Sequence, residues 1–227
     1  MTANRLAEIR ERIDRAAAVA GRVAGEVGLV AVAKTATALT LQQAWDAGQR
    51  CFGHNRVQAL EEHREVLPNA EWHLLGPLQG RKVRRGLAAS NLFQALGESR
   101  SLQRCAKILE AAASPFPMLV QVNLHPEDGR YGCTLEDLDS FVDQVLQYPQ
   151  IQCAGLMTIA LADSNESELR ATFARLRERF LGLQSEQRLP SDAHLSMGMS
   201  ADFETAIEEG ANLVRVGRAI FPPPAAD

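Results

Sequence analysis

Short apolar runs alternate with amphipathic helical patterns along the whole chain, and this alternation is what most limits the possible folds. Such switching is typical of βα units wound around a parallel sheet. Eight candidate strands are present, namely LVAVAK from Leu29, CFG from Cys51, WHLLG from Trp72, NLFQAL from Asn91, MLVQVN from Met118, CAGLMTI from Cys153, HLSMGMS from His194 and LVRVGRAIF from Leu213.

An amphipathic helix opens the chain, and seven helical patterns separate the eight runs. The apolar stripes are at Leu6, Ile9, Ile13 and Ala17, at Leu135, Leu138, Val142 and Val145, and at Leu169, Phe173, Leu176 and Phe180. Eight βα repeats in 227 residues predict an α/β fold, a single (β/α)8 TIM barrel with an extra N-terminal helix. Residues 1–221 would form the barrel and residues 222–227 a proline-rich tail. An open doubly wound sheet is the alternative.

Composition narrows the class of partner. A net charge of −4 gives no reason to expect nucleic acid or an anionic membrane. The four cysteines lie far apart without CxxC spacing, which argues against a metal site and against a disulfide framework. The N-terminus is charged from Arg5 onward, and no apolar run approaches the roughly 20 residues of a membrane span. We therefore expect a cytoplasmic protein.

Lys34 closes the first apolar run, and the chain has only three lysines against 21 arginines. Lysine is the side chain that forms a Schiff base, and an apolar setting would favour the neutral amine that attacks a carbonyl. In a barrel, functional residues lie at the C-terminal ends of strands, which is where Lys34 falls. The alternative is a strand-end lysine whose stem lies on apolar surface while its amine reaches solvent.

The loops after the seventh and eighth strands read SMGMSADFE and RVGRAIF, and a barrel places its phosphate site there. Ser200 is predicted to cap a helix over Ala201–Glu209, closed by Gly210, so that its hydroxyl and the first N–H groups face an anion. Gly217 would let the backbone approach closely. Taken singly, Ser200 could cap only its own helix, and Gly198 and Gly217 could simply permit turns.

Five ordered blocks carry a resemblance to a known family: LVAVAKT, FGHNRVQ, WHLLGPLQGRK, GLMTI and LSMGMSADFETAIEEGANLVRVGRAIF. Over nearly its whole length the chain resembles the pyridoxal 5′-phosphate (PLP) homeostasis proteins, also called the YggS or PROSC family, related in fold to the barrel domain of bacterial alanine racemase. The resemblance implies a PLP-binding protein of intracellular PLP, vitamin B6 and amino-acid homeostasis, without turnover of its own.

The resemblance also implies a set of cofactor-binding residues and no catalytic residue. Lys34 would carry PLP as an internal aldimine, and Arg215 would face the pyridine nitrogen. The others are Asn55 beside the ring, with Met199, Ser200, Gly217 and Arg218 around the phosphate. Because arginine only donates hydrogen bonds, Arg215 would keep the ring nitrogen unprotonated and disfavour strong carbanion chemistry. Alternatively, Arg215 is an interior arginine paired with a carboxylate.

Some residues depart from the family pattern. His54 and Ala59 replace usual glutamates, which would alter the charge near the mouth of the site. Arg218 replaces a usual threonine, but its backbone N–H remains and its guanidinium could contact phosphate. In the segment HPEDGRYG, any role for a basic residue would fall to Arg130.

Other polar residues have ordinary interpretations. His73 is predicted to satisfy a buried hydrogen bond, and Asn55 could be a helix N-cap. The basic cluster is predicted to be a solvated helix face; it comprises Arg81, Lys82, Arg84 and Arg85.

Two enzyme classes remain as alternatives. A PLP-dependent racemase needs a second acid/base group, and the chain has only Tyr131 and Tyr148, neither at a predicted strand end. A Schiff-base aldolase needs further carboxylates or lysines at strand ends, and no convincing set is present. The favoured prediction is a monomeric PLP carrier or regulator, with PLP-dependent apoenzymes as possible recipients.

Overall fold

The computed structural model describes residues 1–161 and 163–223. The strands are β1 Gly28–Val32, β2 Cys51–His54, β3 Glu71–Leu74, β4 Leu92–Leu96, β5 Phe116–Asn123, β6 Cys133–Thr134, β7 Ile151–Met157, β8 His194–Ser196 and β9 Leu213–Val216. The helices are α1 Thr2–Val19, α2 Ala38–Asp46, α3 Val57–Val66, α4 Lys82–Ala89, α5 Ser99–Ile108, α6 Leu138–Leu146, α7 Glu166–Ser185 and α8 Phe203–Glu208, with a 3-10 turn at Pro126–Asp128.

Eight of these strands close into a parallel barrel. They pair in the order β4, β3, β2, β1, β9, β8, β7, β5, and β4 also pairs with β5 through Phe93–Met118 and Leu96–Val120. This last pairing removes both sheet edges, so the open-sheet alternative is wrong and the predicted TIM barrel is confirmed. The sequence did not predict β6, a two-residue addition beside the end of β5.

Helix α1 is the predicted extra element. Its apolar face, including Leu6, Ile9 and Ile13, is buried, and the helix contacts α8 and α2. Each such aliphatic side chain contributes about 1.5–3 kcal/mol when fully buried. The Arg12 guanidinium adds a bidentate contact to Glu204 on α8, with both N···O distances at 2.8 Å.

Local sequence signals fix where helices begin. Thr37 accepts a hydrogen bond from the Thr40 backbone N–H at the start of α2, and Asn165 and Glu168 form the equivalent reciprocal capping box on α7. Within the described ranges, no helix combines the length and apolarity needed to cross a bilayer. The boundary between residues 1–221 and 222–227 stays a prediction, and residues 224–227 of the tail lie outside the described residues.

Candidate functional site

The predicted site residues converge at the C-terminal ends of four consecutive strands. Lys34 lies two residues after β1, Asn55 directly after β2, Ser200 in the loop after β8 and Gly217 directly after β9. The order β2, β1, β9, β8 makes these strands neighbours in the barrel. Parallel strands end at the same edge, so the four residues share one rim, which we call the C-terminal rim.

Lys34 stands on this rim with an exposed side chain. The expectation of an apolar setting around its amine is wrong, because β1 ends at Val32 and Lys34 is exposed in the turn that follows. The adjoining backbone is held on both sides: the Ala33 N–H donates to the Gly53 carbonyl over 2.8 Å, and the Thr35 hydroxyl donates to the Phe221 carbonyl. The lysine is therefore anchored through its neighbours while its amine faces solvent.

The loop after β8 differs from its prediction. Helix α8 begins at Phe203 rather than Ala201 and ends at Glu208. Asp202 precedes it, and the Asp202 Oδ1 accepts a hydrogen bond from the Met199 N–H over 2.5 Å. Ser200 therefore caps no helix, and its Oγ instead accepts from the Gly217 N–H over 3.3 Å. This bond joins the two loops that were predicted to hold an anion.

Two glycines allow close packing of these loops, Gly198 against α8 and Gly217 against the end of β1. Gly198 has a φ of 93°, and a Cβ there would lie 2.6 Å from the Ala206 Cβ. A Cβ on Gly217 would lie 3.2 Å from the Val32 carbonyl oxygen, tighter than ordinary contacts. A larger residue would push the first loop away from α8 at position 198 and the second loop away from β1 at position 217.

The remaining rim residues are exposed. Met199 exposes 37% of its surface, and Asn55 and Arg218 are exposed as well. Helix α3 begins at Val57, and the residue that precedes it is Arg56, so the alternative in which Asn55 is a helix N-cap is wrong.

Arg215 lies inside the barrel, only 4% exposed, on β9. Its Nη1 donates to the Ser196 Oγ over 2.6 Å, and its Nη2 donates to the Thr158 carbonyl over 2.8 Å. Burial lowers the pKa of the guanidinium to about 10, against the opposing effect of the Asp202 charge. Burial also raises the pKa of Asp202, against the opposing effects of the Met199 N–H and the Arg215 charge.

Further polar groups continue inward from Arg215. The Ser196 Oγ donates to the Gln94 Oε1 over 2.7 Å, and the Gln94 Nε2 lies 2.8 Å from the His73 Nδ1. The His73 Nε2 is 2.9 Å from the Glu71 Oε1, so the predicted buried hydrogen bond of His73 is confirmed. Sequence reasoning missed Gln94 and Ser196, although an amide inside the apolar run LFQAL was a usable signal.

At the opposite end of the barrel, Cys51, Glu71 and His73 form a group with metal-ligating atoms within 4.8 Å of one another. The Cys51 sulfur is 3.7 Å from the His73 Nδ1 and 3.5 Å from the Nε2, so it lies along neither lone-pair axis. Burial, then the Glu71 charge, raises the pKa of the Cys51 thiol well above its ordinary value. In this arrangement the three groups do not point at a common centre.

His54 is buried, and it carries no negative charge at a position where a glutamate is usual. Its side chain is 3% exposed and packs edge-on against His63 of α3, with ring centroids 5.4 Å apart. Burial, then the positive charges of His63, Arg56 and Lys34, lower the pKa of His54 to about 4. The imidazole is therefore neutral near pH 7.

Two other predictions concern basic residues. The predicted solvated helix face is confirmed, because Arg81, Lys82, Arg84 and Arg85 are all exposed. Arg85 also forms an ion pair with Glu61. Arg130 is exposed, and its Nη1 donates to the Ala160 carbonyl over 3.1 Å.

Comparison with known proteins first gives the class. A family model described as "Alanine racemase, N-terminal domain" matches residues 5–222. The barrel with a lysine after its first strand is therefore a barrel of the alanine racemase N-terminal class.

Individual relatives then give the family. The chain is 39% identical to the pyridoxal phosphate homeostasis protein of Pseudomonas aeruginosa, over 96% of this chain and 94% of that protein. It is 34% identical to the protein of the same name from Escherichia coli K12, over 96% of this chain and 95% of that protein. The solved structure of PipY from Synechococcus elongatus PCC7942 with PLP bound superposes with a TM-score of 0.84 at 33% identity, covering 97% of this chain and 100% of that chain. The chain belongs to the pyridoxal phosphate homeostasis protein family.

Proposed function

We propose that this protein binds PLP through a Schiff base on Lys34 and acts in intracellular PLP, vitamin B6 and amino-acid homeostasis without turnover of its own. One observation carries the proposal. The hydrogen bond between the Ser200 Oγ and the Gly217 N–H brings the loops after β8 and β9 together beside the end of β1, where Lys34 stands. The family and the PLP-bound PipY structure support the same ligand.

The residues on the rim fit the three polar parts of PLP. When bound, PLP supplies an aldehyde that reacts with amines and a ring that withdraws electrons. Lys34 offers the amine, and the Ser200 hydroxyl, held by the Gly217 N–H, and the Arg218 guanidinium offer donors to a phosphate. Arg215, buried below them, offers donors to the ring nitrogen. Asn55 and Met199 border the same rim.

The exposure of Lys34 favours a carrier. Its nitrogen bonds to the aldehyde carbon, and the carbonyl oxygen leaves as water. Water reverses this step, so a solvent-facing lysine suits release of PLP better than permanent retention. A site closed to water would be expected of an enzyme that protects reactive intermediates.

The positions of both tyrosines argue against a racemase. The Tyr131 hydroxyl accepts a hydrogen bond from the Gly97 N–H over 3.3 Å, and burial raises the pKa of Tyr131 to about 12. Tyr148 precedes β7 and therefore lies at the opposite end of the barrel from Lys34. Tyr131 lies at the ends of β4 and β5, across the barrel from β1, and its raised pKa makes it a poor base near neutral pH.

The aldolase alternative finds little support on the same rim. Asp202, the carboxylate nearest the Ser200 loop, already accepts the Met199 N–H. We further propose a cytoplasmic monomer that delivers PLP to apoenzymes. The four free cysteines suit a reducing compartment.

Titration of the purified protein with PLP, followed by visible absorbance, tests the proposed ligand. Pyridoxal and a sugar phosphate serve as comparisons. We expect saturable binding of PLP with a new visible band, weaker binding of pyridoxal and none of the sugar phosphate. A racemase assay with a panel of amino acids should show no turnover, and transfer of PLP to an apo aminotransferase should restore its activity. Turnover in the panel would favour the racemase alternative.

A further inference from the structure

A continuous chain of hydrogen bonds runs through the barrel from Arg215 to Glu71. Its four links measure 2.6 Å, 2.7 Å, 2.8 Å and 2.9 Å, through Ser196, Gln94 and His73 in turn. The Ser196–Gln94 link joins β8 to β4, which are not neighbours in the sheet, and so crosses the barrel interior. Barrel interiors are ordinarily filled with branched apolar side chains, so this polar crossing needs a reason.

The chemistry of Arg215 fixes the direction of every link. Arginine has donors only, so the Ser196 Oγ must accept from it and has one hydrogen left to give to the Gln94 Oε1. The Gln94 amide nitrogen then faces the His73 Nδ1, which has to be the unprotonated acceptor. His73 therefore carries its hydrogen on Nε2 and donates it to Glu71, whose side chain is 57% exposed.

Reversing the Gln94 amide would break this order. The Gln94 NH2 group would then face the Ser196 Oγ, so this oxygen would meet two donors, the Gln94 amide and the Arg215 guanidinium. The Ser196 hydrogen would also lose its acceptor, the Gln94 oxygen. Buried polar groups left without partners in a low-dielectric interior are costly, so the fully used arrangement is favoured. The chain of hydrogen bonds thus links the tautomer of His73, near the opposite end of the barrel, to Arg215 below the rim.

We infer that Gln94 is a positioning residue: by accepting the Ser196 hydrogen, it keeps the Ser196 oxygen as an acceptor for Arg215, which then directs its remaining N–H groups at the ring nitrogen of bound PLP. This inference rests on the proposed function. Gln94 is fully buried, and its hydrogen bonds reach no residue of the C-terminal rim. It therefore acts on the ligand only through Ser196 and Arg215.

The test compares Gln94→Leu with Gln121→Leu. Gln121 is a matched control, because it is also a buried glutamine of the barrel whose Nε2 makes one hydrogen bond, 2.8 Å to the Tyr131 carbonyl, outside the chain. Gln94→Leu is expected to weaken PLP binding by about tenfold, the effect of one hydrogen bond to a charged group. It should also shift the visible band of bound PLP, while borohydride still fixes PLP on Lys34. Gln121→Leu should change neither.

Ser196→Ala covers the case in which Gln94→Leu fails to fold, since it removes a single hydroxyl. The two substitutions interrupt the same chain of hydrogen bonds, so their effects on PLP affinity should not add. The double variant should bind PLP with about the affinity of whichever single variant binds it less tightly. Wild-type affinity and an unchanged band in both folded single variants would overturn the inference. Equal losses in Gln94→Leu and Gln121→Leu would overturn it too, since they would indicate a general packing effect.

A measurement without PLP separates this inference from the proposed function. Nitrogen NMR of the PLP-free protein, with His73→Gln to assign the signal, should show His73 protonated on Nε2 and unprotonated on Nδ1. The Nδ1-protonated tautomer would contradict the derived direction of the chain. Failure of the proposed function would show differently, as a wild-type protein that binds no PLP.

Discussion

The Ser200 Oγ lies 3.3 Å from the Gly217 nitrogen and accepts its hydrogen, joining two loops that are 17 residues apart in the chain. The Ser200 hydroxyl is available for this bond because the Asp202 and Phe203 N–H groups, which it would have capped, donate to the Met199 carbonyl instead. Because this bond uses the Gly217 N–H, the hydrogen of the Ser200 hydroxyl is the donor of this pair that is left for an anion. The first prediction follows from this pair.

Ser200→Ala is expected to weaken PLP binding by about 10- to 100-fold, since it removes a donor to the phosphate dianion. Binding of pyridoxal, which lacks the phosphate, should not change. Absorbance titrations with both compounds measure the ratio. Ser191→Ala, an exposed serine before β8 at the opposite end of the barrel, is the control. Equal losses for PLP and pyridoxal would exclude a phosphate contact by Ser200.

Gly217→Ala tests the close approach of β9 to β1. The new methyl group would stand 3.2 Å from the Val32 carbonyl oxygen, so the β1 end that carries Lys34 has to shift. We expect stability to fall by about 1 kcal/mol and PLP affinity by at least about tenfold. Urea denaturation and absorbance titration measure the two effects.

Gly182→Ala is the matched glycine control. Gly182 lies within α7, where the nearest atom to a new Cβ would be the Arg179 Nη1 at 3.8 Å. We expect unchanged PLP binding and a gain of about 0.5–1 kcal/mol, because alanine loses less backbone entropy than glycine in a helix. Stabilisation by Gly217→Ala, or PLP loss in Gly182→Ala, would contradict the proposed roles of these positions.

The buried His54 predicts how stability depends on pH. Its pKa is about 4 in the folded protein, below the ordinary value of about 6.5 that the unfolded chain would have. As pH falls from about 6.5 toward 4, the unfolded chain takes up a proton that the folded protein does not, so stability is full above this range and is lost within it. The loss is at most about 3 kcal/mol.

His54→Asn should reduce that dependence, since its amide oxygen stands at about the position of the His54 Nδ1 and can accept the Arg56 N–H, but does not titrate. Urea denaturation at about pH 7.5 and about pH 5 measures the change in the free energy of unfolding. His63 and His194, whose pKa values are also lowered by burial, will leave part of the effect in the variant. An identical pH dependence in both proteins would show that His54 is not the cause.

Much of the fold was readable from sequence, because its signals are local. The eight apolar runs correspond to β1–β5 and β7–β9, and the amphipathic stripes to the helices. The position of Lys34, Asn55 and Gly217 after strands followed from the same alternation. Closure through β4 and β5 depends on pairing between distant segments, so the sequence indicated it only through the number of βα repeats and the length of the chain.

The errors concern groups whose state depends on tertiary contacts. Ser200 reads as a helix cap, but the Asp202 and Phe203 N–H groups that its hydroxyl would have accepted from both donate to the Met199 carbonyl. Lys34 reads as buried because it follows an apolar run, yet the chain turns after Val32. The link between Ser196 and Gln94 joins residues 102 apart in sequence, and no spacing rule could have paired them.

Borohydride reduction of the protein with PLP, followed by peptide mass mapping, tests the central claim most directly. Reduction makes the bond between PLP and lysine permanent, so the added pyridoxyl mass marks the residue. We expect that mass on the peptide containing Lys34, unchanged in Lys82→Ala and lost in Lys34→Ala. The Lys34→Ala variant should still fold, since an exposed rim lysine contributes little to stability. Labelling on Lys82 or Lys107 instead, or no labelling of the wild-type protein, would contradict it.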